Sequence, residues 1–194
     1  MNIGIFGGCF NPSHNMHKQI ATELIKKKYL DKVIFLPTGD SYKKAELIGI
    51  EERVAMLNIL LQDKDFEISD ISKGEKYRYT FEALDYYHKK YKEDTIYFIC
   101  GTDNLKEFDT WKNYQYILSN YKLLVIPRNK DNISDIVNKY KKYAKNILIA
   151  DINENLVSST IVRNYIKSGK KEDLIEIMDK EVLKYIFNKG LYKI

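Results

Sequence analysis

The residues with the clearest chemical potential lie near the start of the chain, in the sequence GGCFNPSHNMH from Gly7 to His17. Gly7 and Gly8 have no side chains, so the backbone there can approach a ligand closely and direct its N–H groups at a phosphate. His14 and His17 are three residues apart at the start of a predicted helix, so both rings project from one face of its first turn. We therefore expect two of the three histidines to lie where an anion binds, and expect their positive charge to act on it.

Two other interpretations of this segment stay open on the residues alone. It is compatible with a tight strand-to-helix turn that carries surface imidazoles. It is also compatible with a zinc site in which Cys9 joins His14 and His17, although such a site needs a further ligand. The glycines by themselves do not specify a nucleotide site, because the segment has neither the GxGxxG nor the GxxxxGK[ST] spacing.

A second group of candidate residues is Ser158-Ser159-Thr160, which precedes a predicted helix that carries Arg163 one turn in. The hydroxyls can cap the helix and donate to phosphate oxygens, and a guanidinium can hold two such oxygens at once. The alternative interpretation is a simple helix N-cap followed by a surface arginine.

Further candidates follow other predicted strands. Lys43 and Lys44 come after the turn Pro37-Thr38-Gly39-Asp40, where one of them could reach a phosphate. Asp103, in Gly101-Thr102-Asp103, could accept hydrogen bonds from ribose hydroxyls or cap a helix. Trp111, the only tryptophan, could stack on a planar base or pack half-buried against the core.

Alternating apolar segments must position these residues. Short runs rich in β-branched and aromatic residues predict strands at Ile3–Phe6, Val33–Pro37, Phe66–Ile71, Ile96–Cys100, Lys122–Ile126 and Ile147–Ala150. Segments of helical period predict helices at His14–Tyr29, Glu51–Leu61, Tyr79–Tyr91, Asn104–Phe108, Ile133–Tyr143, Thr160–Ser168 and Lys180–Asn188. This alternation is typical of an α/β protein with a parallel sheet covered on both faces, which binds its ligand at the carboxyl ends of the strands.

Composition narrows the class of protein. The 194 residues suit one compact unit, and 44% hydrophobic with 30% charged residues suits a folded chain with a real core. A net charge of +5 suits a phosphate-bearing ligand without requiring nucleic acid, and the basic and aromatic stretch Lys139–Tyr143 is better explained as a solvated helix face than as an RNA site. Two cysteines and the absence of a signal-like or membrane-spanning segment indicate a cytoplasmic protein with reduced thiols and no membrane partner.

The pattern GxFxPxHxxH after a first strand resembles the nucleotidyltransferases that move AMP or CMP onto a phosphate. Three more segments resemble the nicotinate and nicotinamide mononucleotide adenylyltransferases. They are Pro37-Thr38-Gly39-Asp40-Ser41-Tyr42-Lys43-Lys44 followed by Arg53, Gly101-Thr102-Asp103 with Trp111 downstream, and Ser158-Ser159-Thr160-Ile161-Val162-Arg163. Together these matches extend in order from residue 3 to about Leu191-Tyr192, which is nearly the whole chain.

This resemblance implies a Rossmann-like doubly wound parallel sheet in a single domain, 1–194, whose residues 158–194 form a small C-terminal helical part. It implies transfer of AMP from ATP to nicotinate mononucleotide, with nicotinamide mononucleotide as a possible second substrate, in NAD biosynthesis. The nucleophile is a phosphate that is already dianionic at neutral pH, so no general base is expected. Magnesium is expected to arrive with ATP, without a protein metal site, and a homo-oligomer is a possible assembly.

The resemblance also implies roles for individual residues. The catalytic group is His14, His17, Arg163 and Lys44. The group that binds ATP is Gly7, Gly8, Cys9, Phe10, Gly101, Asp103, Ser158, Ser159 and Thr160. The group that binds the mononucleotide is Asn11, Lys43, Tyr79, Thr80 and Trp111.

Some residues depart from either branch of the family. The HxxH spacing and the length match the bacterial nicotinate-specific enzymes, whereas Asn15-Met16-His17 and Gly39-Asp40-Ser41-Tyr42-Lys43-Lys44 resemble the eukaryotic branch that also accepts nicotinamide. Cys9 stands where a small hydroxyl residue is common. The competing hypotheses are another nucleotidyltransferase, such as the phosphopantetheine adenylyltransferase, and a non-catalytic regulator that binds a dinucleotide.

Overall fold

A single parallel sheet forms the centre of the molecule in the computed structural model, which describes residues 1–40, 46–69, 71, 77–128, 132–152 and 157–192. Its strands are β1 (Asn2–Gly8), β2 (Lys32–Pro37), β3 (Phe66–Ile68), β4 (Thr95–Gly101), β5 (Lys122–Ile126) and β6 (Ile147–Ile149). They lie in the order β3-β2-β1-β4-β5-β6, and each pairs in parallel with its neighbours. The predicted doubly wound sheet is confirmed by this order, which reverses direction between β1 and β4.

Helices cover both faces of this sheet. They are α1 (Asn15–Lys26), α2 (Ile50–Leu60), α3 (Thr80–Lys90), α4 (Thr102–Lys106), α5 (Tyr114–Asn120), α6 (Ile133–Lys139), α7 (Ser159–Ser168), α8 (Lys171–Ile177) and α9 (Lys180–Lys189), with 3-10 turns at Phe108–Thr110 and Lys141–Asn146. No helix in the described parts of the chain is long and apolar enough to cross a membrane.

Each face of the sheet has its own apolar core, because successive side chains of a strand point to opposite sides. In β1, Ile3 and Ile5 belong to one core, and Phe6 belongs to the other. The core that contains Phe6 also takes in apolar residues of α1, α2 and the three C-terminal helices, such as Leu24 and Val182. The C-terminal helices therefore share a core with the sheet.

Four element predictions need correction. The helix α5 was not predicted, since its short aromatic and β-branched segment has weak helix propensity and its N-cap, Asn113, makes no side-chain capping bond. The helix α8 was missed because it buries only Leu174 and so shows no apolar stripe. The predicted strand Phe66–Ile71 ends at Ile68, and the predicted helix Ile133–Tyr143 ends at Lys139 and continues as a 3-10 turn.

Candidate active site

The carboxyl ends of β1, β2, β4 and β5 form one edge of the molecule, where most of the predicted site residues lie. Gly8 at the end of β1 pairs with Pro37 at the end of β2, and Gly101 at the end of β4 pairs with Ile126 at the end of β5. The strand order reverses between β1 and β4. In this architecture, nucleotides bind in the crevice at such a switch point.

The Gly8–His14 loop, which joins β1 to α1, is held by its carbonyl groups. Four of its carbonyl oxygens accept hydrogen bonds of 2.9–3.0 Å from other parts of the chain: Gly8 from the Thr38 N–H, Cys9 from Arg53 Nη1, Asn11 from Arg163 Nη1, and Pro12 from Ser159 Oγ. In a trans peptide the N–H that follows a carbonyl points the opposite way. The N–H groups of Cys9 and Phe10 therefore point away from the elements that hold the loop, as a phosphate-binding loop requires.

Phe10 fixes the loop from its inner side. Its backbone is left-handed, with a φ of 48°, which is unusual for a residue with a side chain. Its buried ring packs edge-on against Phe6 and against the ring of His17, with a centroid distance of 4.9 Å to His17. Phe10 was predicted to bind ATP, and the structure leaves only its backbone for that purpose because the side chain is buried.

His14 and His17 are stacked, with ring centroids 3.8 Å apart and an angle of 30° between the rings. Burial, with a smaller effect of the Arg128 charge, lowers the pKa of His14 to about 3. Burial also lowers the pKa of His17 well below its usual value, with smaller effects of His14 and Arg128. In this structure burial therefore favours the neutral form of both imidazoles at neutral pH, whereas the sequence led us to expect charged ones.

Their hydrogen bonds indicate how neutral imidazoles can still act. The Nδ1 atom of His17 accepts a hydrogen bond of 3.2 Å from the backbone N–H of His14. A neutral imidazole has one donor and one acceptor nitrogen, so the proton of His17 lies on Nε2. His17 is therefore fixed as a hydrogen-bond donor.

The Ser158-Ser159-Thr160 segment caps α7 and joins it to the Gly8–His14 loop. Ser158 is the N-cap residue, and its hydroxyl accepts from the N–H of Ile161. Ser159 Oγ donates to the Pro12 carbonyl, and Thr160 Oγ1 accepts from Arg163 Nη2 at 3.4 Å. The N-cap interpretation is thus confirmed, and the same residues place the N-terminus of α7 against the loop.

Arg163, like Arg53, donates a hydrogen bond to a carbonyl of the loop. While Nη1 holds the Asn11 carbonyl, Nε donates to Glu46 Oε2 at 3.1 Å. Glu46 also pairs with Lys167, and these two cations hold the pKa of the Glu46 carboxyl below its usual value. The Arg163 guanidinium is therefore paired with the Glu46 carboxylate in this structure.

Across the crevice, Asp103 and Arg128 lie at the ends of β4 and β5. Arg128 Nη1 is 3.4 Å from Asp103 Oδ2, and the Arg128 N–H donates to the hydroxyl of Thr102 at 2.9 Å. A Cβ on Gly101 would overlap Asp103 Oδ1 and lie 2.8 Å from Arg128 Nε. Glycine at this position thus allows the carboxylate and the guanidinium to meet above the strand ends.

Three predicted mononucleotide residues lie on or beside the face of the sheet that α3 and α5 cover. Tyr79 is the partly exposed N-cap residue of α3, and Thr80 begins this helix. Trp111 packs against Phe108 and against Phe98, with centroid distances of 4.8 and 5.8 Å. A Cβ added at Gly7 would meet the ring of Phe98 at 3.1 Å, so Trp111 is linked through this one ring to the residue before the Gly8–His14 loop.

Comparison with known proteins places the chain in a family. The model of the cytidylyltransferase-like family matches residues 5–165, from the middle of β1 to a point within α7. The chain belongs to the cytidylyltransferase-like family.

Several relatives share almost the full length of this cytidylyltransferase-like chain. A protein of Clostridium novyi is 32% identical over 98% of this chain and 98% of its own length, and one of Clostridium acetobutylicum is 37% identical over 86% of this chain and 87% of its own length. Both are named probable nicotinate-nucleotide adenylyltransferase, so the predicted family resemblance is confirmed.

Two solved structures share the fold. The nicotinic acid mononucleotide adenylyltransferase of Plasmodium falciparum complexed with NaAD superimposes with a TM-score of 0.84 at 16% identity, covering 98% of this chain and 97% of that one. The same enzyme complexed with APC superimposes with a TM-score of 0.83 at 18% identity. The predicted Rossmann-like fold is confirmed by this likeness.

Within this cytidylyltransferase-like site, the predicted contacts of individual residues with ATP and with the mononucleotide stay predictions. Lys43 and Lys44 lie outside the described residues. Both cysteines are free, and burial raises the pKa of the Cys100 thiol to about 12. In the described ranges, no group of three His, Cys, Asp or Glu side chains could hold a metal ion.

Four residues of the site had no role in the sequence analysis. Arg53 is completely buried and donates to Cys9, Ile48 and Asp40. The others are Glu46, Arg128 and Tyr192. Arg53 and Arg128 had a signal, since one follows the Gly39-Asp40 turn and the other follows a predicted strand, whereas the contacts of Glu46 and Tyr192 are made by distant parts of the chain and leave no local pattern.

Proposed function

We propose that this protein transfers AMP from ATP to nicotinate mononucleotide, producing deamido-NAD and pyrophosphate, as a step of NAD biosynthesis. The names of the full-length relatives and the likeness to nicotinic acid mononucleotide adenylyltransferase support this proposal. The observation that carries it is the position of Arg163, which donates to the carbonyl of Asn11 in the Gly8–His14 loop and also to the Glu46 carboxylate. A cation that binds an anion beside this loop is what a phosphate site requires.

The reaction requires little covalent chemistry from the protein. The 5′-phosphate of the mononucleotide attacks the α-phosphorus of ATP, the new P–O bond forms, and pyrophosphate leaves with the electrons of the broken P–O bond. Because the attacking phosphate monoester has a second pKa near ~6, it needs no base at neutral pH. The protein has to align the two nucleotides and stabilise the charge of the transition state.

The described residues supply the donors for this task. The N–H groups of Cys9 and Phe10, the N-terminus of α7 and the Nε2–H of His17 are held in place by the fold. Because these donors are fixed and neutral, they stabilise the developing negative charge without the free-energy cost of burying a cation. Arg163 and Arg128 add positive charge from opposite sides of the crevice.

The proposed reaction requires Arg163 to change its hydrogen-bond partner. In this structure its Nε donates to the Glu46 carboxylate. A triphosphate has more charge than a carboxylate and offers several oxygens in a suitable plane, so it competes effectively for the guanidinium. Glu46 keeps Lys167 as a partner when Arg163 leaves.

Magnesium enters this scheme as part of the substrate. Mg²⁺ binds triphosphate oxygens and keeps several waters, so it needs few protein ligands. It partly neutralises the leaving pyrophosphate. A cytoplasmic location and a homo-oligomeric assembly also stay proposals from the sequence.

The base preference follows from the chemistry of the pyridine substituent. A carboxylate only accepts hydrogen bonds, whereas an amide also presents N–H donors, so a site near Thr80 and Trp111 that offers N–H donors to the pyridine substituent would favour nicotinate. An unpaired donor costs about 1–3 kcal/mol, which is enough for a strong preference. We expect kcat/KM to be higher for nicotinate mononucleotide than for nicotinamide mononucleotide.

The test is pyrophosphate release from ATP with nicotinate mononucleotide, nicotinamide mononucleotide and phosphopantetheine, each assayed at the same protein concentration. The fastest turnover is expected with nicotinate mononucleotide. Equal or reversed rates for the two pyridine substrates would remove the nicotinate assignment, and turnover with phosphopantetheine alone would assign a different nucleotidyltransferase. Binding of ATP and mononucleotide without any turnover would indicate a regulator.

Replacing Trp111 tests the mononucleotide side separately. Trp111→Ala should raise KM for both pyridine mononucleotides and leave KM for ATP near the wild-type value, because the ring that we expect to stack on the pyridine is lost. The control is Trp111→Phe, which keeps an aromatic face. If Trp111→Ala weakened ATP equally, Trp111 would be assigned to the packing of Phe98 and Phe108.

A further inference from the structure

Tyr192, beyond the end of α9, contacts the Gly8–His14 loop near the other end of the chain. Its hydroxyl is 2.9 Å from Oδ1 of Asn11, although the two residues are 181 positions apart. Both are buried, with 9% of Tyr192 and 3% of Asn11 exposed. The contact joins the segment after α9 to the loop that follows β1.

The orientation of the Asn11 amide can be worked out from its neighbours. The N–H of Ile48 can only donate, and it is 3.4 Å from Oδ1, so Oδ1 is the acceptor. Nδ2 then faces the carbonyl oxygen of Glu46, to which it donates at 2.8 Å. The Tyr192 hydroxyl therefore donates, and it supplies the shorter of the two hydrogen bonds to Oδ1.

Asn11 is in this way a junction between two parts of the anion site. Its side chain holds the backbone of Glu46, and its own carbonyl holds Arg163, which in turn holds the Glu46 carboxylate. These three residues form a closed ring of contacts. The contact from Tyr192 fixes the one amide on which that ring depends.

We infer that Tyr192 is a positioning residue for ATP: by fixing Asn11, it sets the carbonyl that orients the Arg163 guanidinium against the Gly8–His14 loop before the triphosphate arrives. The inference rests on the proposed function. Burial raises the pKa of the Tyr192 hydroxyl, so it stays protonated and able to donate at any physiological pH. Without this hydroxyl the amide loses its better donor, and ATP has to order the site as it binds.

The matched pair of variants is Tyr192→Phe and Tyr185→Phe. Tyr185 lies on α9, and its hydroxyl donates to Glu52 of α2, so the control removes the same group from a nearby interhelix contact that does not involve the loop. In Tyr192→Phe we expect the Kd of ATP by calorimetry and the KM for ATP to rise about 5-fold, with kcat nearly unchanged. In Tyr185→Phe we expect both constants to stay at the wild-type value.

A double-mutant cycle identifies the route of the effect. If Tyr192 acts through Asn11, the loss of its hydroxyl has no further effect on ATP affinity in the Asn11→Ala background. Additive effects in the cycle would overturn the inference. So would wild-type ATP affinity in Tyr192→Phe, or an equal loss in Tyr185→Phe.

The wild-type protein provides a test that does not depend on how the variants fold. Coupling is reciprocal, so ATP should slow amide hydrogen exchange at Leu191 and Tyr192 while leaving Lys180–Lys189 unchanged. Unchanged exchange at both residues would overturn the inference. If the protein binds ATP but makes no dinucleotide, the proposed function fails, and the ATP affinities still decide the role of Tyr192; if it binds no ATP, both fail.

Discussion

At the scale of single residues, Arg163 serves both the structure of the loop and the charge of the site. One nitrogen holds the Asn11 carbonyl while another holds Glu46, which a planar guanidinium can do and an ammonium cannot. The sequence predicted the importance of Arg163 from its spacing after Ser158-Ser159-Thr160. Its partners were beyond prediction, because Asn11 and Glu46 are more than a hundred positions away.

We expect Arg163→Lys to lower kcat/KM for ATP about 100-fold, since the lysine loses the fork that holds loop and phosphate together. Steady-state kinetics with varied ATP provides the measurement. Lys167→Ala is the control, because Lys167 pairs with the same Glu46 carboxylate and has no hydrogen bond to the loop. The control should stay within about 3-fold of wild type. Equal losses in the two variants would mean that the charge on Glu46 matters and the fork does not.

The histidine pair shows where reasoning from residue type falls short. Spacing correctly placed both imidazoles on the first turn region of α1, as their stacking confirms. The lowered pKa of the pair was not predicted, because the burial of His17 depends on packing against Phe6 and Phe10 and cannot be read from a local motif. The neutral state follows only once the rings are seen to be enclosed.

At the scale of elements, the site depends on how closely the ends of β4 and β5 approach each other. Apolar runs predicted both strands well, since strands buried on both faces are nearly continuous in sequence. The pairing of Asp103 with Arg128 follows from the register of those strands, which no single segment encodes. Short helices with few buried residues, such as α8, were beyond prediction for the same reason: their packing partners lie elsewhere in the chain.

We expect Gly101→Ala to raise KM for ATP about 10- to 100-fold, because the added methyl group displaces Asp103 and Arg128. The matched control is Gly49→Ala, where no atom lies within 4 Å of the added methyl group. The control should bind ATP normally and lose only a little stability, since Gly49 is the N-cap of α2 and alanine is a poorer N-cap residue. Normal ATP affinity in Gly101→Ala would remove the Asp103 and Arg128 pair from the nucleotide site.

At the scale of the whole molecule, the buried histidines make folding stability depend on pH. The pKa of His14 is about 3 in the folded protein and near the ordinary 6.5 when unfolded. Below pH 6.5 the unfolded chain therefore takes up a proton that the folded protein refuses, and stability falls as the pH falls toward 3. At pH 5 this difference amounts to about 2 kcal/mol.

Urea unfolding at pH 7 and pH 5 tests this dependence. We expect His14→Gln to lose about 2 kcal/mol less than wild type between the two pH values, because the substituted side chain does not titrate. His88→Gln is the control, since His88 is exposed on α3 and should leave the pH dependence unchanged. An identical loss in His14→Gln and wild type would show that His14 is not the group responsible.

The way in which the Gly8–His14 loop is held also bears on the order in which the molecule is made. A ribosome synthesises all six strands before it reaches α7, yet two of the four groups that hold the loop carbonyls, from Ser159 and Arg163, belong to α7. The loop is therefore translated long before the α7 residues that fix its final geometry. A nascent chain that has completed its sheet still lacks two of the four donors to this loop, so binding of nucleotide is delayed until α7 has been synthesised.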